Sequence, residues 1–219
     1  MPAPVRKIAD LPTVIPVFPL DGAVLLPHAA LPLNIFEPRY LNMLDDALAS
    51  DRVIGMIQTR AGGSRQHPAL CDVGCVGRIT SFSETGDGRY MITLTGVARF
   101  RVGRELQVTT PYRQVEADFS SFAADLAPAG DDDGFDRMVF LAALKAYLDH
   151  RGLDIEWDGA RDAPGEALVN SLSMALPFEP AEKQALLEAA TILERRDALI
   201  ALLRIDAADN DDDGPRPLQ

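Results

Sequence analysis

The chain has 219 residues, a formal net charge of −12 and a normal globular share of hydrophobic residues, 47%. This length suffices for one large domain or two small ones, and the acidic charge disfavours general binding to nucleic-acid phosphates. No apolar run has the roughly 18 residues that a membrane-spanning helix needs, and the first ten residues are too polar for a secretory signal. We therefore expect a cytoplasmic protein without membrane contact.

The first patterned stretch is residues 14–41, VIPVFPLDGAVLLPHAALPLNIFEPRYL. Proline lacks a backbone N–H group, so strands that carry it lie at sheet edges, at bulges or at strand ends. The stretch predicts two short strands, followed by a helix that begins at Pro38 and ends near Ser50. Glu37 and Arg39 flank this proline, and we expect the three residues to fix the strand-to-helix turn rather than to bind a ligand.

The chain to residue 119 continues as a series of predicted strands. A buried strand is predicted at 53–58, and residues 61–68, rich in glycine, are predicted to be a loop. The later strands of this meander are predicted at 71–85, 89–96, 98–107 and 112–119.

Residues 120–134 change the character of the chain. Alanine, glycine, proline and aspartate in this stretch predict a flexible joint. The predicted organisation is an N-terminal tail (1–12), a β-rich lobe (13–119), the joint (120–134), a helical lobe (135–206) and a disordered acidic tail (207–219).

The helical lobe is predicted from apolar residues at helical spacing. Gly152 is expected to stop its first helix, and Thr191 with Glu194 forms a capping-box pattern at its last. The helices are predicted at 135–152, at 164–176, from Pro180 and at 191–206, with a loop at 155–164.

Two motifs suggest metal binding but are incomplete. His67, Cys71 and Cys75 are spaced four apart, yet a structural zinc site needs four ligands. Residues 209–214 match the first half of a calcium loop, but the chain ends before the glutamate that such a loop requires. We expect no metal, and we expect the two cysteines to be free thiols with a packing role.

The motifs at both ends of the chain resemble one family. IPVFPL and LPLNIFEPRYL, then VGCVGRITSF with LTGVARFRV, and finally MALPFEPAEKQALLEAATILERRDALIALL are similar to the amino-terminal, substrate-binding domain of Lon protease. The likeness is greatest to short, stand-alone bacterial members and extends to the Lon-like domain of cereblon. The resemblance implies an α+β fold: a PUA-like pseudo-β-barrel of about six strands with one inserted helix, followed by a helical bundle.

The resemblance also implies a non-catalytic module that binds unfolded or tagged polypeptides, in association with a protease or an adaptor. No Gly-Lys pair of a phosphate-binding loop occurs, and Lys145 and Lys183 are predicted on exposed helix faces, so we expect no catalytic residues and no cofactor. The candidate polypeptide contacts are the apolar run Leu25, Leu26 and Pro27, together with Trp157 and the seam between the lobes.

Two other functions stay open at this point. An enzyme or small-ligand-binding protein would use a pocket inside the barrel, with a buried ionisable group beside it. An RNA-binding barrel would need a contiguous basic patch formed by Arg99, Arg101, Arg104 and Arg113.

Overall fold

The computed structural model describes residues 7–64, 66–128 and 135–208. The strands are β1 (Val14–Pro19), β2 (Ala30–Ile35), β3 (Val53–Ile57), β4 (Thr59–Ser64), β5 (His67–Leu70), β6 (Val73–Glu84), β7 (Tyr90–Glu105) and β8 (Arg113–Asp118). The helices are α1 (Pro38–Ala49), α2 (Arg137–Arg151), α3 (Trp157–Asp162), α4 (Gly165–Ala175), α5 (Pro180–Glu188) and α6 (Ile192–Ala208). This mixed architecture confirms the predicted α+β class.

Six of the strands form one sheet in the order β2-β7-β6-β3-β1-β8, and a further pairing of β7 with β8 closes it. The long strand β7 makes this closure possible, because residues 90–95 pair with β2 and residues 101–105 pair with β8. Only the β1–β3 pair is parallel among the pairs of this sheet in the described residues. The result is a barrel with one strand, β2, outside the closed ring.

The barrel interior is filled by side chains. Phe100 is completely buried at its centre. A Cβ atom added to Gly74 would lie 2.7 Å from the Phe100 ring, and one added to Gly55 would lie 3.0 Å from it. Glycine at both positions therefore lets the ring occupy the space that a pocket would need.

Helix α1 contributes to the hydrophobic core that the inward side chains of β2 and β7 also form. It begins at Pro38, and its buried residues Tyr40, Met43, Leu44 and Ala47 follow helical spacing. The Tyr40 and Phe18 ring centroids are 4.2 Å apart, which fixes the start of the helix against β1. The inserted helix and its proline start confirm the prediction for this segment.

Three segments differ from the prediction. Within the expected loop at 61–68, residues 61–64 belong to β4 and residues 67–68 to β5, and these two strands pair with a bulge that polar and glycine-rich residues concealed. The expected loop at 155–164 contains α3. Its N-cap is Glu156, an unusual capping residue, whose side chain accepts from Asp158 N and Gly159 N. The two strands predicted at 89–96 and 98–107 are one strand, and the break expected between them is a shift in its register with β6.

The first part of the predicted joint is folded. Residues Ser120–Leu126 form a 3-10 helix that packs on the barrel, with Phe122 and Asp125 buried, so this part is not a loose connection. Residues 129–134, the tail beyond residue 208 and the incomplete calcium motif lie outside the described residues. In the described part of the chain, no helix is long and apolar enough to cross a membrane.

Candidate functional site

The predicted apolar contacts lie in the core. Leu25 and Leu26 are 0% exposed, and Pro27 is buried with them. The loop that holds them lies tightly against β7, since a Cβ atom on Gly96 would come within 2.0 Å of Leu26 O. These three side chains pack against the protein itself and are not available to a bound polypeptide.

Trp157 and the turn residues also take part in internal contacts. Trp157 is half-buried and packs on the core of the helical lobe. At the turn, Arg39 Nε donates to Glu37 Oε2 at 3.0 Å, and the Arg39 guanidinium lies 4.5 Å from the Tyr40 ring centroid. The turn therefore holds its own charges in place beside Pro38.

The cysteine and histidine side chains do not form a group that could hold a metal ion within the described residues. Cys75 is completely buried and Cys71 is partly buried, and both are free thiols. Burial raises the pKa of the Cys75 thiol, which suppresses the thiolate that reacts or binds metal. His67 Nε2 lies 3.0 Å from Glu105 Oε1, so this ring pairs with a carboxylate instead.

The arginine patch that an RNA-binding barrel would need is absent as a free surface. Arg99 is buried and pairs with Asp125 at 2.7 Å, and Arg113 is paired with Glu105 at 2.6 Å. Hydrogen bonds from Arg113 hold the pKa of Glu105 below its usual range. Arg104 is paired with Glu116. Three of the four predicted cations are therefore engaged by carboxylates of the same chain.

The surface has concave regions, but they lie outside the barrel. The cleft at the start of α1 has a volume of about 820 Å³ and includes Arg39, Tyr40, Asp21, Thr59 and Arg113 in its lining. Each of these charges already has a partner within the chain, as Thr59 Oγ1 donates to Asp21. The pocket inside the barrel that an enzyme would use is filled by Phe100 and its neighbours.

The seam between the lobes, also a predicted contact region, is closed by buried polar groups. Arg99 donates to the carbonyl oxygens of Leu187, Ala189 and Ala190 at the carboxyl end of α5. These carbonyls have no partner within their helix, so the guanidinium caps it. Lys183, expected on an exposed helix face, is instead buried, and its ammonium donates to Gly22 O and Met174 O, each at 2.9 Å.

The outer face of β2, β7 and β6 has a charged residue at one end, Arg78, which lies opposite Thr95 in the register. The rest of this face differs from these regions because it carries no charge. We call it the neutral face; its residues are Ala30, Pro32, Asn34, Thr80, Ser81, Ser83, Met91, Thr93 and Thr95, which are exposed or partly exposed. Its hydroxyl groups bond to one another, with Thr80 Oγ1 3.0 Å from Thr95 Oγ1. The face is thus an uncharged, largely self-satisfied surface on a protein with net charge −12.

One edge of the neutral face is an unpaired strand edge. Within the described residues β2 pairs only with β7. Gly96 N donates to Ala29 O at 2.8 Å, and this bond shows which residues of β2 direct their backbone groups to β7. By the alternation of an antiparallel pair, the backbone groups of Leu31 and Leu33 point to β7, whereas those of Ala30, Pro32 and Asn34 point away from it.

Pro32 therefore lies where its missing N–H group costs the β2–β7 ladder nothing. The free edge offers three carbonyl acceptors, from Ala30, Pro32 and Asn34, and only two N–H donors. A long incoming strand would lose one bond opposite Pro32, which limits indiscriminate edge-to-edge association.

Two large apolar side chains mark the end of the neutral face. Phe36, directly after β2, is 58% exposed, and Met91, which pairs with Asn34 across the strands, is 45% exposed. The Arg89 guanidinium lies 5.7 Å from the Phe36 ring centroid and is paired with Asp87. An unpaired edge, an uncharged face and two exposed apolar anchors thus occur together.

Sequence reasoning missed this surface, although a signal was present. Small uncharged residues at 30, 32 and 34 alternate with Leu31, Leu33 and Ile35, which face the core. The same period of two recurs in β7 at 91, 93 and 95. Recognising that both outer rows lack charge needs the register that joins the two strands.

The closed barrel with an appended helical lobe defines the class of domain by its fold. Residues 14–204 match the family model of the ATP-dependent protease La (LON) substrate-binding domain. The chain belongs to this family, which confirms the resemblance drawn from its sequence motifs.

Two relatives and two solved structures show the extent of this similarity. The chain is 29% identical over 210 residues to Lon protease 2 of Myxococcus xanthus, covering 89% of this chain and 24% of that protein. For Lon protease of Roseiflexus castenholzii the identity is 26% over 206 residues, covering 92% and 25%. The chain thus spans about a quarter of the length of these relatives.

The structural matches support the fold. The Lon N-terminal domain protein from Xanthomonas campestris superposes with a TM-score of 0.61 at 24% identity, covering 86% of this chain and 98% of that one. The N-terminal domain of Mycobacterium avium complex Lon protease gives a TM-score of 0.59 at 18% identity, covering 90% and 99%.

Proposed function

We propose that the chain is a non-catalytic module that binds extended, apolar segments of unfolded or tagged polypeptides at the free edge of β2 and on the neutral face beside it. The observation that carries the proposal is the unpaired, charge-free edge that ends in Phe36 and Met91. The family's description as a substrate-binding domain supports the binding role.

Strand addition supplies the binding energy in this proposal. An unfolded segment carries backbone N–H and C=O groups without protein partners, and these can pair with the outward groups of Ala30, Pro32 and Asn34. Covering hydroxyl and methyl groups costs far less than covering charges, which must be desolvated. Burial of the exposed half of Phe36 adds about 1 kcal/mol.

The same geometry sets the length of the bound segment. The six residues of β2 span roughly 20 Å, so the edge accommodates a short segment of similar length. A folded protein offers few such segments, because most of its strands are already paired on both sides. The module therefore discriminates by conformation rather than by a defined sequence.

The test measures binding of a fluorescent, reduced and carboxymethylated polypeptide by anisotropy, with its native form as competitor. The double variant Phe36→Ser/Met91→Ser is expected to weaken binding about tenfold, since roughly 1–2 kcal/mol of apolar contact is lost. The matched control is Met138→Ser, which removes an 83% exposed methionine of the helical lobe and is expected to leave binding unchanged.

A second variant tests strand addition itself. Asn34→Pro removes one of the two outward N–H donors and, like Pro32, leaves the β2–β7 ladder intact. We expect weaker binding without loss of fold by circular dichroism. Equal binding of native and unfolded polypeptide, or full binding by Asn34→Pro, would refute the proposed surface.

In this proposal the chain recognises polypeptides and leaves their degradation to a separate protease. The purified chain is expected to leave a bound peptide intact over hours and to release no phosphate from ATP. Chromatography of the peptide and a phosphate-release assay measure both. Cleavage or ATP hydrolysis by the chain alone would contradict a non-catalytic module.

A further inference from the structure

The loop that leads into β2 is held by the helical lobe. Between β1 and β2 the chain contacts three helix residues: Lys183 Nζ donates to Gly22 O at 2.9 Å, Asn170 Nδ2 donates to Pro27 O at 3.0 Å, and His28 Nδ1 lies 3.0 Å from Glu166 Oε1. Two of these helix residues, Glu166 and Asn170, lie one turn apart on α4.

His28 occupies a backbone conformation that needs such support. Its φ of 63° is in the left-handed region, which is strained for a residue other than glycine. Its N–H donates to Gly96 O at 3.0 Å, and the next residues continue directly into β2. The conformation of His28 therefore determines where the free edge begins.

The anchor on α4 is itself fixed from the last helix. Arg195 of α6 donates to Asn170 Oδ1 at 2.9 Å and to Leu186 O at 2.8 Å. Asn170 is almost completely buried, so its amide has both its oxygen and its nitrogen engaged away from water. The hydrogen bonds run without a break from α6 through α4 to the loop before β2.

We propose that Glu166 and Asn170 are positioning residues for polypeptide binding: helix α4 of the helical lobe holds the loop at Pro27 and His28 and thereby fixes the free edge of β2. This inference rests on the proposed function. It makes the helical lobe part of the binding apparatus, although no residue of that lobe lies on the neutral face.

The first experiment measures amide hydrogen exchange of β2 and needs no ligand. The Glu166 side chain belongs to none of the hydrophobic clusters, so we expect Glu166→Ala to leave the core intact. This substitution is expected to speed exchange of the Leu31 and Leu33 amides about tenfold. Glu166→Gln keeps an acceptor for the His28 ring and is expected to retain most of the protection. The control, Glu116→Ala, removes the partner of Arg104 on β8 and should leave β2 unchanged.

The second experiment measures affinity for the unfolded polypeptide in the same variants. Glu166→Ala is expected to weaken binding about threefold to tenfold, while Glu116→Ala does not. In the Asn34→Pro background the Glu166→Ala effect should be much smaller, because both substitutions act on the same edge.

The outcomes separate the two proposals. If the wild-type chain binds no unfolded polypeptide, the proposed function fails, and the exchange of β2 still tests the positioning role. Unchanged β2 exchange in Glu166→Ala overturns the positioning role whatever the binding result. Changed exchange with unchanged affinity overturns it as well, since the contact would then stabilise the loop without affecting binding.

Discussion

The neutral face and the seam between the lobes are both polar, but the seam contains buried charged groups whereas the neutral face contains none. The seam buries the guanidinium group of Arg99 and the ammonium of Lys183, and Arg195 is buried next to it within the helical lobe. Each of these cations is bonded to carbonyl oxygens, a carboxylate or an amide of the same chain. Burial lowers the pKa of Arg195 to about 10. The neutral face has only hydroxyl, amide and apolar groups, and it is open to solvent.

This difference shows which surface can accept a partner. Separating the charged groups of the seam would destabilise the protein, because loss of one partner leaves the other buried and unsatisfied. The hydroxyl groups of the neutral face cost less to desolvate, and without a partner they bond to one another and to a backbone carbonyl oxygen. The seam is therefore suited to holding the two lobes together, and the face is suited to a transient contact.

Loss of Arg99 should give the largest effect. Arg99→Ala leaves the Asp125 carboxylate buried without its partner and uncaps α5, so we expect the free energy of unfolding to fall by about 3–5 kcal/mol. Urea denaturation measures it. Arg104→Ala, which breaks an exposed pair with Glu116, should cost less than about 1 kcal/mol.

Arg99→Lys keeps the charge but loses the planar guanidinium, whose several N–H groups donate to different acceptors. This milder variant keeps the prediction testable if Arg99→Ala does not fold. We expect an intermediate loss. Equal stability of Arg99→Ala and Arg104→Ala would remove the distinction between seam and surface.

A methyl group on Gly96 should give the next largest effect. Its Cβ would lie 2.0 Å from Leu26 O and 3.2 Å from the Pro27 Cα atom, and both belong to backbone that cannot rotate away. We expect Gly96→Ala to lose about 1–3 kcal/mol of stability and to weaken polypeptide binding, because the displaced loop leads into β2.

The matched control is Gly86→Ala, in the turn between β6 and β7, where nothing lies within 4 Å of the new atom. It should change neither quantity. A stable Gly96→Ala with full affinity would show that the loop tolerates movement.

Removal of the Tyr112 hydroxyl should give a smaller and pH-dependent effect. Tyr112 donates to Asp46 Oδ2 at 2.7 Å and joins the start of β8 to α1. Burial, with this bond, raises the pKa of Tyr112 to about 12. Below pH 10 the hydroxyl is protonated in both folded and unfolded chains, and Tyr112→Phe should cost about 1–2 kcal/mol.

Between pH 10 and 12 the hydroxyl is deprotonated more in the unfolded chain than in the folded chain. The contribution of Tyr112 to the free energy of unfolding of the wild type therefore falls as the pH rises. We expect the stability difference between wild type and Tyr112→Phe to shrink across that range. Denaturation curves at stepped pH measure it. A difference that stays constant to pH 12 would show that the hydroxyl titrates normally.

The sequence predicted the elements that local patterns determine. Pro38 at the start of a helix, Gly152 in the left-handed conformation after α2, and the Thr191 cap, whose Oγ1 accepts from Glu194 N, are all present. Each depends on a few neighbouring residues, and its physical cause can be read without a fold.

The sequence did not predict contacts between distant residues. Lys183 has the pattern of an exposed helical lysine, yet it is buried because Gly22 O, 161 residues away, accepts from it. His28 has no candidate partner in its vicinity along the chain, but Glu166 lies beside it in the fold. The prediction that Leu25 and Leu26 contact polypeptide was wrong because apolar residues between two strands fit the core equally well.

The smallest effect on stability should come from a charge placed on the neutral face. Ser83 is exposed and lies opposite Met91 in the register, so Ser83→Glu changes no packing and should shift the free energy of unfolding by less than about 0.5 kcal/mol. A bound apolar segment would have to desolvate the new carboxylate, so affinity for unfolded polypeptide should fall severalfold. Ser64→Glu, on the separate β4–β5 hairpin, adds the same charge away from the face and serves as control. Loss of affinity in both variants would mean that net charge governs binding, whereas loss in Ser83→Glu alone would identify the lack of charge on this face as the property that a polypeptide recognises.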